Sequence, residues 1–491
     1  MKLAGRSATI IFTEFFRSIT TLAMGIVLSR LLSKAQYGTF SQAFMVYTLF
    51  STILSLSLPQ SLYFFIPKSK DKDQPLVMSQ TLILTLTLAA AAGCFMYFSA
   101  PLLSRWMNNS ELTNVLKVMS FYPLADMISQ LVSPALISVG KVGYSAVFGF
   151  IFAIVRIFSI VWPVAAKYPL PDVIKVMVIA AFATAGVGLV MIVLILRIHK
   201  VWFSKTLLWE QLEYSIPLAG ALAVGLLGRQ LDKWIISIFF SPEQYAIFSN
   251  GAAELPLVGV LTGGLAAAIL PEMVKSASAN KLMDAVSLWQ RSSRVCALAM
   301  FPTFVLALLL APQLIVLMFS FRYSQSTYPF IVYLFVLPLR VVIFASLLRA
   351  LSYTSPIMIG AILSLTINAV LGIGLVKLAG KGMAGFLSPA AASVISQYLS
   401  AWYLLYAIKK VSGVSISKIL PWGHLARLLL LSAVAGIPVL PILWTNLPDT
   451  TKILTATVIY LAGYVSMVFG TRWLTEEEKN LLARFFRLKQ A

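Results

Sequence analysis

Apolar residues run along this chain in long blocks separated by short polar turns. A helix needs about 20 apolar residues to cross the hydrocarbon core of a bilayer, and its backbone polar groups must be satisfied within it. By that measure the chain predicts about fourteen membrane-spanning helices. The first six lie near 7–31, 39–65, 76–100, 115–139, 143–166 and 173–198. A polar, amphipathic stretch, HKVWFSKTLLWEQLEY at 199–214, reads as a cytoplasmic linker. Six more spans follow near 215–240, 245–271, 294–319, 327–350, 355–379 and 383–408. A second basic linker leads to a last pair near 426–445 and 452–473, and 474–491 reads as an amphipathic tail lying at the membrane surface.

The polar turns carry a repeat. SKAQYGTFSQ (Ser33–Gln42) returns as SPEQYAIFSN (Ser241–Asn250), each copy after the first span of a six-helix block. Because six is even, both copies face the same side of the membrane. The pattern predicts an all-α membrane protein made of two pseudo-symmetric bundles, 1–198 and 215–408, around a central cavity, plus the pair within 409–473. The repeated turn is expected to cap a helix through its Ser and Gln, with Tyr and Phe at the membrane interface. It reads as architecture, not as a substrate site.

Composition agrees with a bilayer home. Hydrophobic residues make up 59% of the chain and charged residues 11%, with mean hydropathy +0.89. Ordinary soluble domains carry about 25% charged residues. The net charge of +21 would suggest nucleic acid in a soluble protein. Here Lys and Arg concentrate in one set of turns, most strongly in KSKDKDQP and EMVKSASANKLMDAVSLWQRSSR. By the positive-inside rule this places both termini in the cytoplasm, and no nucleic-acid partner is expected. No CxxC or HExxH motif occurs, and His199 and His424 are the histidines, so neither a metal site nor a cofactor is expected. Cys94 and Cys296 lie in apolar segments and read as small buried hydrophobes. The first apolar block is too long and too charged for a cleaved signal and reads as a retained span.

Ionisable residues inside spans are costly and therefore candidate functional groups. The first span pairs Glu14 with Arg17, and the seventh carries Arg229, Asp232 and Lys233. Such pairs either lock helices together or line a site. Arg156 and Arg340 have no acidic neighbour at helical spacing, so a polar cavity is their expected place; Arg349 lies at the inner end of its span, where it can also snorkel to the surface. Asp126 and Glu254 are candidates for coupling transport to H+ or Na+. Pro59, Pro123, Pro134, Pro217, Pro256, Pro302 and Pro338 inside spans favour bent helices.

The stretches SRLLSKAQYGTFSQAF and LDKWIISIFFSPEQYAIFS, with the two six-helix blocks, resemble the multidrug/oligosaccharidyl-lipid/polysaccharide exporter superfamily, and within it the Wzx-type polysaccharide flippases. The resemblance implies a non-enzymatic transporter with a cavity between its halves. Its cargo would be an undecaprenyl-diphosphate-linked oligosaccharide, flipped to the outer leaflet of a bacterial inner membrane by alternating access. It further implies membrane lipid, and polysaccharide polymerase or chain-length proteins, as partners for a monomeric protein, with the last helix pair guiding the polyprenyl tail. A diphosphate suits Arg, whose planar fork binds phosphate oxygens bidentately. Arg17, Arg156, Arg229, Lys233, Arg340 and Arg349 are then the candidate cationic lining. Two other readings remain at this stage. One is a cation-coupled small-molecule or multidrug antiporter of the same superfamily, which would favour carboxylates and aromatics. The other is a membrane glycosyltransferase or polymerase, which would need a larger polar loop than this chain offers.

Overall fold

The computed structural model describes residue 20 and residues 22–70, 72–198, 203–253 and 255–471. All regular elements among them are helical. The chain divides into two compact units, Met1–Ile247 and Phe248–Ala491. The boundary therefore follows the seventh span, not the polar stretch at 199–214.

The first unit contains α1 (Leu22–Leu31), α2 (Lys34–Leu54), α3 (Leu58–Lys68), α4 (Gln74–Trp106), α5 (Leu112–Met119), α6 (Tyr122–Ser138), α7 (Val142–Ala165), α8 (Leu170–Leu196), α9 (Lys205–Phe239) and the start of α10 (Pro242–Gly251). Helix α6 is its hub, packed against α3, α4, α7 and α8. Leu62, Phe65, Met78, Leu131, Leu136 and Ile192 meet in a core that joins four of these helices.

Two spans of the first unit that the hydropathy pattern predicts as single helices are broken. The 39–65 block is α2 and α3, separated at Leu56 (φ 45°) and Ser57 (φ 55°), two left-handed residues without glycine's freedom. The 115–139 block is α5 and α6, separated at Ser120–Phe121. Proline sits in the first turn of both continuing helices, Pro59 in α3 and Pro123 in α6. A proline lacks the N–H that would bond the preceding turn, so each break falls where its ring would otherwise strike that turn's carbonyl. At the second break Gly93 of α4 is required: a Cβ there would lie 2.4 Å from the Ser120 carbonyl oxygen. A third departure runs the other way. Residues 205–214 of the expected linker are the opening turns of α9, which continues through Pro217 into the seventh span.

The repeat is a helix cap, used twice. The backbone N–H of Ser33 donates to Gln36 Oε1 and that of Gln36 donates to Ser33 Oγ, both at 3.2 Å. Ser241 and Gln244 do the same at 3.2 and 3.3 Å. This is the reciprocal capping box, in which two free N–H groups of a helix start are satisfied at once. The aromatic positions differ from expectation, because Tyr37, Phe40, Tyr245 and Phe248 are all buried in protein. Phe248 packs edge-on against Tyr333 and Phe386 of the second unit. Within the first unit Gly38 faces the backbone of Pro242, whose carbonyl oxygen would be 2.0 Å from an added Cβ. Gln42, at the end of the first copy, accepts from Asn109 Nδ2 at 2.6 Å and donates to Ser237 Oγ at 2.8 Å. The repeated stretch is thus spent on packing.

The second unit contains α11 (Pro256–Ser278), α12 (Leu282–Leu309), α13 (Ala311–Phe319), a 3-10 turn (Phe321–Ser326), α14 (Thr327–Leu334), α15 (Leu337–Arg340), α16 (Phe344–Ala350), α17 (Ser355–Ala379), α18 (Met383–Ser412), α19 (Ile416–Ile419), α20 (Trp422–Ala435), α21 (Leu440–Leu443) and α22 (Asp449–Gly470). Helices α17 and α18 form a hairpin turned by Gly380 at φ 69°. The last pair belongs to this unit's core: Tyr460 donates to the Ser432 carbonyl at 3.0 Å and Tyr464 to that of Leu298 at 3.1 Å.

The 327–350 block is also broken, with Phe321–Leu334 and Leu337–Ala350 meeting at 40°. Three carbonyls along this bent span take side-chain donors: Phe335 from Tyr398 (2.9 Å), Arg340 from Cys296 Sγ (3.5 Å) and Ile343 from Trp289 Nε1 (3.0 Å). In a bilayer no water would serve those groups, so neighbouring helices do. Among the described residues eight helices are long and apolar enough to cross a membrane, or nine with this bent pair.

Candidate functional site

In the first unit a polar cluster forms where α2, α6 and α7 carry Tyr47, Asp126 and Arg156. Asp126 is buried at 6% exposure inside α6. A lone carboxylate there would be expensive, since burying a charge without compensation costs several kcal/mol or about that order. Its compensation is specific. Oδ1 accepts from Tyr122 at 3.0 Å, and Oδ2 accepts from Gln130 at 2.6 Å and from the hydroxyl of Tyr47. Tyr122 and Gln130 flank Asp126 one helical turn away on either side, so α6 supplies both from one face. Tyr47 reaches in from α2.

The same tyrosines build an aromatic wall. The Tyr47 and Tyr122 rings meet edge-on with centroids 4.8 Å apart, and Phe44 stands 6.2 Å from each. Arg156, on α7, lies over the Phe44 ring at 5.6 Å, a cation–π geometry. Tyr122, Asp126 and Tyr47 are all within its electrostatic reach. No direct ion pair joins Arg156 to Asp126, and Arg156 Nε is buried without a hydrogen-bond partner among the described residues. Arg156 and Tyr122 line a narrow, partly open crevice with Phe152, Val155, Ser159, Met177, Ala180, Ala181 and Thr184. The hydroxyls of Ser159 and Thr184 donate to backbone carbonyls of their own helices. The guanidinium is therefore the crevice's principal donor.

The other expected residues fall elsewhere. Arg229 is exposed on α9, Lys233 is half-buried, and Asp232 is buried and accepts from the Lys233 backbone N–H at 2.8 Å. Arg340 and Arg349 belong to the second unit, exposed at the end of α15 and on α16. Glu14, Arg17 and Glu254 lie outside the described residues. Of the ten candidates, the structure thus brings Asp126 and Arg156 together. Phe44, Tyr47, Tyr122 and Gln130 join them without having been singled out by sequence. Tyr122 and Gln130 were detectable, since YPLADMISQ sets a hydroxyl and an amide four residues either side of the aspartate.

The model of the polysaccharide biosynthesis protein family matches residues 8–277, which include this whole cluster. The chain belongs to that family. The family is one of the exporter superfamily that the sequence resembles. No curated protein matches the chain in sequence. Solved structures share its fold: the lipid II flippase MurJ in an inward closed conformation aligns with TM-score 0.73 at 16% identity, over 93% of this chain and 98% of that one. A multidrug resistance transporter of the MATE family in an inward-facing conformation gives 0.60 at 14% identity, over 82% and 96%. A superfamily member from Pyrococcus furiosus, for which reverse polarity of the binding pocket suggests a different function, gives 0.56 at 14% identity, over 84% and 97%. At such identities the likeness is one of fold. This member of the polysaccharide biosynthesis family is thus a multi-pass membrane protein with the fold of those structures.

Proposed function

We propose that this protein flips a polyprenyl-diphosphate-linked oligosaccharide from the cytoplasmic to the outer leaflet of a bacterial inner membrane by alternating access. Membership of a polysaccharide biosynthesis family supports the glycan, and the fold shared with a lipid II flippase supports a lipid carrier. The observation that carries the reading is Arg156, a permanently charged guanidinium held in the membrane-embedded unit against Phe44, with its Nε unpartnered among the described residues and a narrow crevice beside it. A diphosphate offers the bidentate acceptor that such a fork fits. Arg17, Arg229, Lys233, Arg340 and Arg349 would extend the cationic lining along the transport path.

Flipping a dianion outward needs a drive. Each unit charge moved across the bilayer is worth about 2.3 kcal/mol per 100 mV, and Asp126 is the buried acid through which H+ or Na+ would couple. Both termini would lie in the cytoplasm, with lipid and the polymerisation machinery as neighbours of a monomer. A cation-coupled antiporter is the second reading, favoured by the aromatic-walled carboxylate of Asp126 and by the fold shared with a multidrug transporter. Proteoliposomes holding a fluorescent polyprenyl-diphosphate glycan separate the two. Flipping lost in Arg156→Ala supports the first reading. Absent flipping, with organic-cation antiport abolished by Asp126→Asn, would replace it with the second.

A further inference from the structure

Asp126 and Arg156 share one cluster, yet they are not paired. In a low-dielectric interior a bare carboxylate beside a guanidinium would be expected to close into a bidentate ion pair. That pair would occupy the same fork a phosphate needs. A carboxylate has about four lone-pair sites; Tyr47, Tyr122 and Gln130 occupy three of them. Two of these donors come from α6 itself and one from α2, so the acid is held from both sides. Arg156 is left on the face of Phe44, a contact far easier to surrender than an ion pair.

We infer that Tyr47, Tyr122 and Gln130 are positioning residues: by engaging Asp126 they prevent it from neutralising Arg156 and keep the guanidinium available to an anionic headgroup. The inference rests on the reading of Arg156 as a headgroup ligand, and it deepens that reading by explaining how an acid and a base can share one cluster without cancelling. It also gives the tyrosines a purpose beyond packing. Phenylalanine would keep the same aromatic wall, so their hydroxyls are what the arrangement needs.

The test compares KM and kcat for flipping of a polyprenyl-diphosphate glycan by the full-length protein, Tyr47→Phe/Tyr122→Phe, and the same double variant carrying Asp126→Asn. Removing two charge-assisted donors frees Asp126 to capture Arg156, so KM should rise about tenfold or more, with kcat changing less. Asparagine carries no charge to capture it, so the triple variant should return KM toward that of the unmodified protein even where loss of the coupling carboxylate lowers kcat. An unchanged KM in the double variant, or a raised KM that Asp126→Asn does not relieve, would overturn the inference. A structural arm is independent of transport: the double variant should show Asp126 and Arg156 in direct ion pair. If the unmodified protein flips nothing but the ion pair forms, the proposed cargo fails while the role of the donors stands. If no ion pair forms, the donors' role fails whatever the cargo. Should the double variant not accumulate in the membrane, Tyr122→Phe alone, which releases Oδ1, carries both arms.

Discussion

Replacing Asp126 separates the hydrogen-bonding role of its side chain from its charge. Asp126→Ala leaves the Tyr47 and Tyr122 hydroxyls and the Gln130 amide without their acceptor. In soluble proteins each buried group so stranded costs about 1–3 kcal/mol. Inside membranes such bonds average about 0.6 kcal/mol, with a maximum of about 1.7. Taking the smaller figure for three bonds predicts a loss on the order of 2 kcal/mol for alanine. Asparagine keeps one acceptor oxygen, which can retain Tyr47 and Gln130, and its amide can donate to the Tyr122 hydroxyl. Its cost should stay within a single bond, about 0.6–1.7 kcal/mol. Unfolding in detergent, followed by thermal or denaturant titration, measures the difference. If asparagine proves as damaging as alanine, or worse, the stabilisation comes from the charge itself and the donor account of this cluster is wrong.

The packing of the repeat makes a second prediction. Gly38→Ala places a Cβ 2.0 Å from the Pro242 carbonyl oxygen, so backbone must move; the same unfolding assay should show a loss of about 1–3 kcal/mol. The two caps give a third. Ser33→Ala and Ser241→Ala should each lower stability by about 0.5–2 kcal/mol, and a neutral result at either position would deny that the copy is a working cap. A fourth concerns the bent span of the second unit. Trp289→Phe keeps the ring but strips the donor from the Ile343 carbonyl, and should cost about 0.6–1.7 kcal/mol, with faster amide exchange around 341–346 read by mass spectrometry. Unchanged exchange there would mean that Trp289 does not hold the bend.

Much of the fold was legible in the sequence because hydropathy reports apolar length. The block at 355–379 became α17 with those bounds, and the 143–166 and 173–198 blocks became α7 and α8 within a few residues. The broken spans were not legible in the same way. A hydropathy window counts apolar side chains and is blind to a backbone turn made of apolar residues, and Leu56 adopts a left-handed conformation while remaining apolar. Of the span prolines, Pro59, Pro123, Pro256 and Pro338 each open a helix after a break, whereas Pro134, Pro217 and Pro302 lie inside continuous helices and mark none. The polar opening of α9 was misjudged for the converse reason: charge in 205–214 suggested a linker, whereas the residues continue a helix already capped by Ser204, whose Oγ accepts from Leu207 N–H.

The candidate site divides along the same line. Asp126 and Arg156 stand out because a charge inside an apolar block is costly wherever the helix faces. Tyr122 and Gln130 follow from Asp126 by helical spacing. Tyr47 could not be foreseen, because its contact with Asp126 bridges two helices that are distant in sequence, and neither helix's own periodicity encodes the other's position. The buried Tyr and Phe of the repeat show the limit of the interfacial rule for aromatics: inside a bundle, a turn next to the membrane surface can face protein instead of headgroups.

The central claim is that Arg156 grips an anionic lipid-linked glycan. The most direct measurement is flipping of a fluorescent polyprenyl-diphosphate oligosaccharide in proteoliposomes, comparing the unmodified protein with Arg156→Ala and Arg156→Lys at matched amounts of folded protein. The account predicts flipping by the unmodified protein, its loss in the alanine variant, and partial retention with lysine, which keeps the charge but not the fork. Flipping that is indifferent to Arg156→Ala would contradict it.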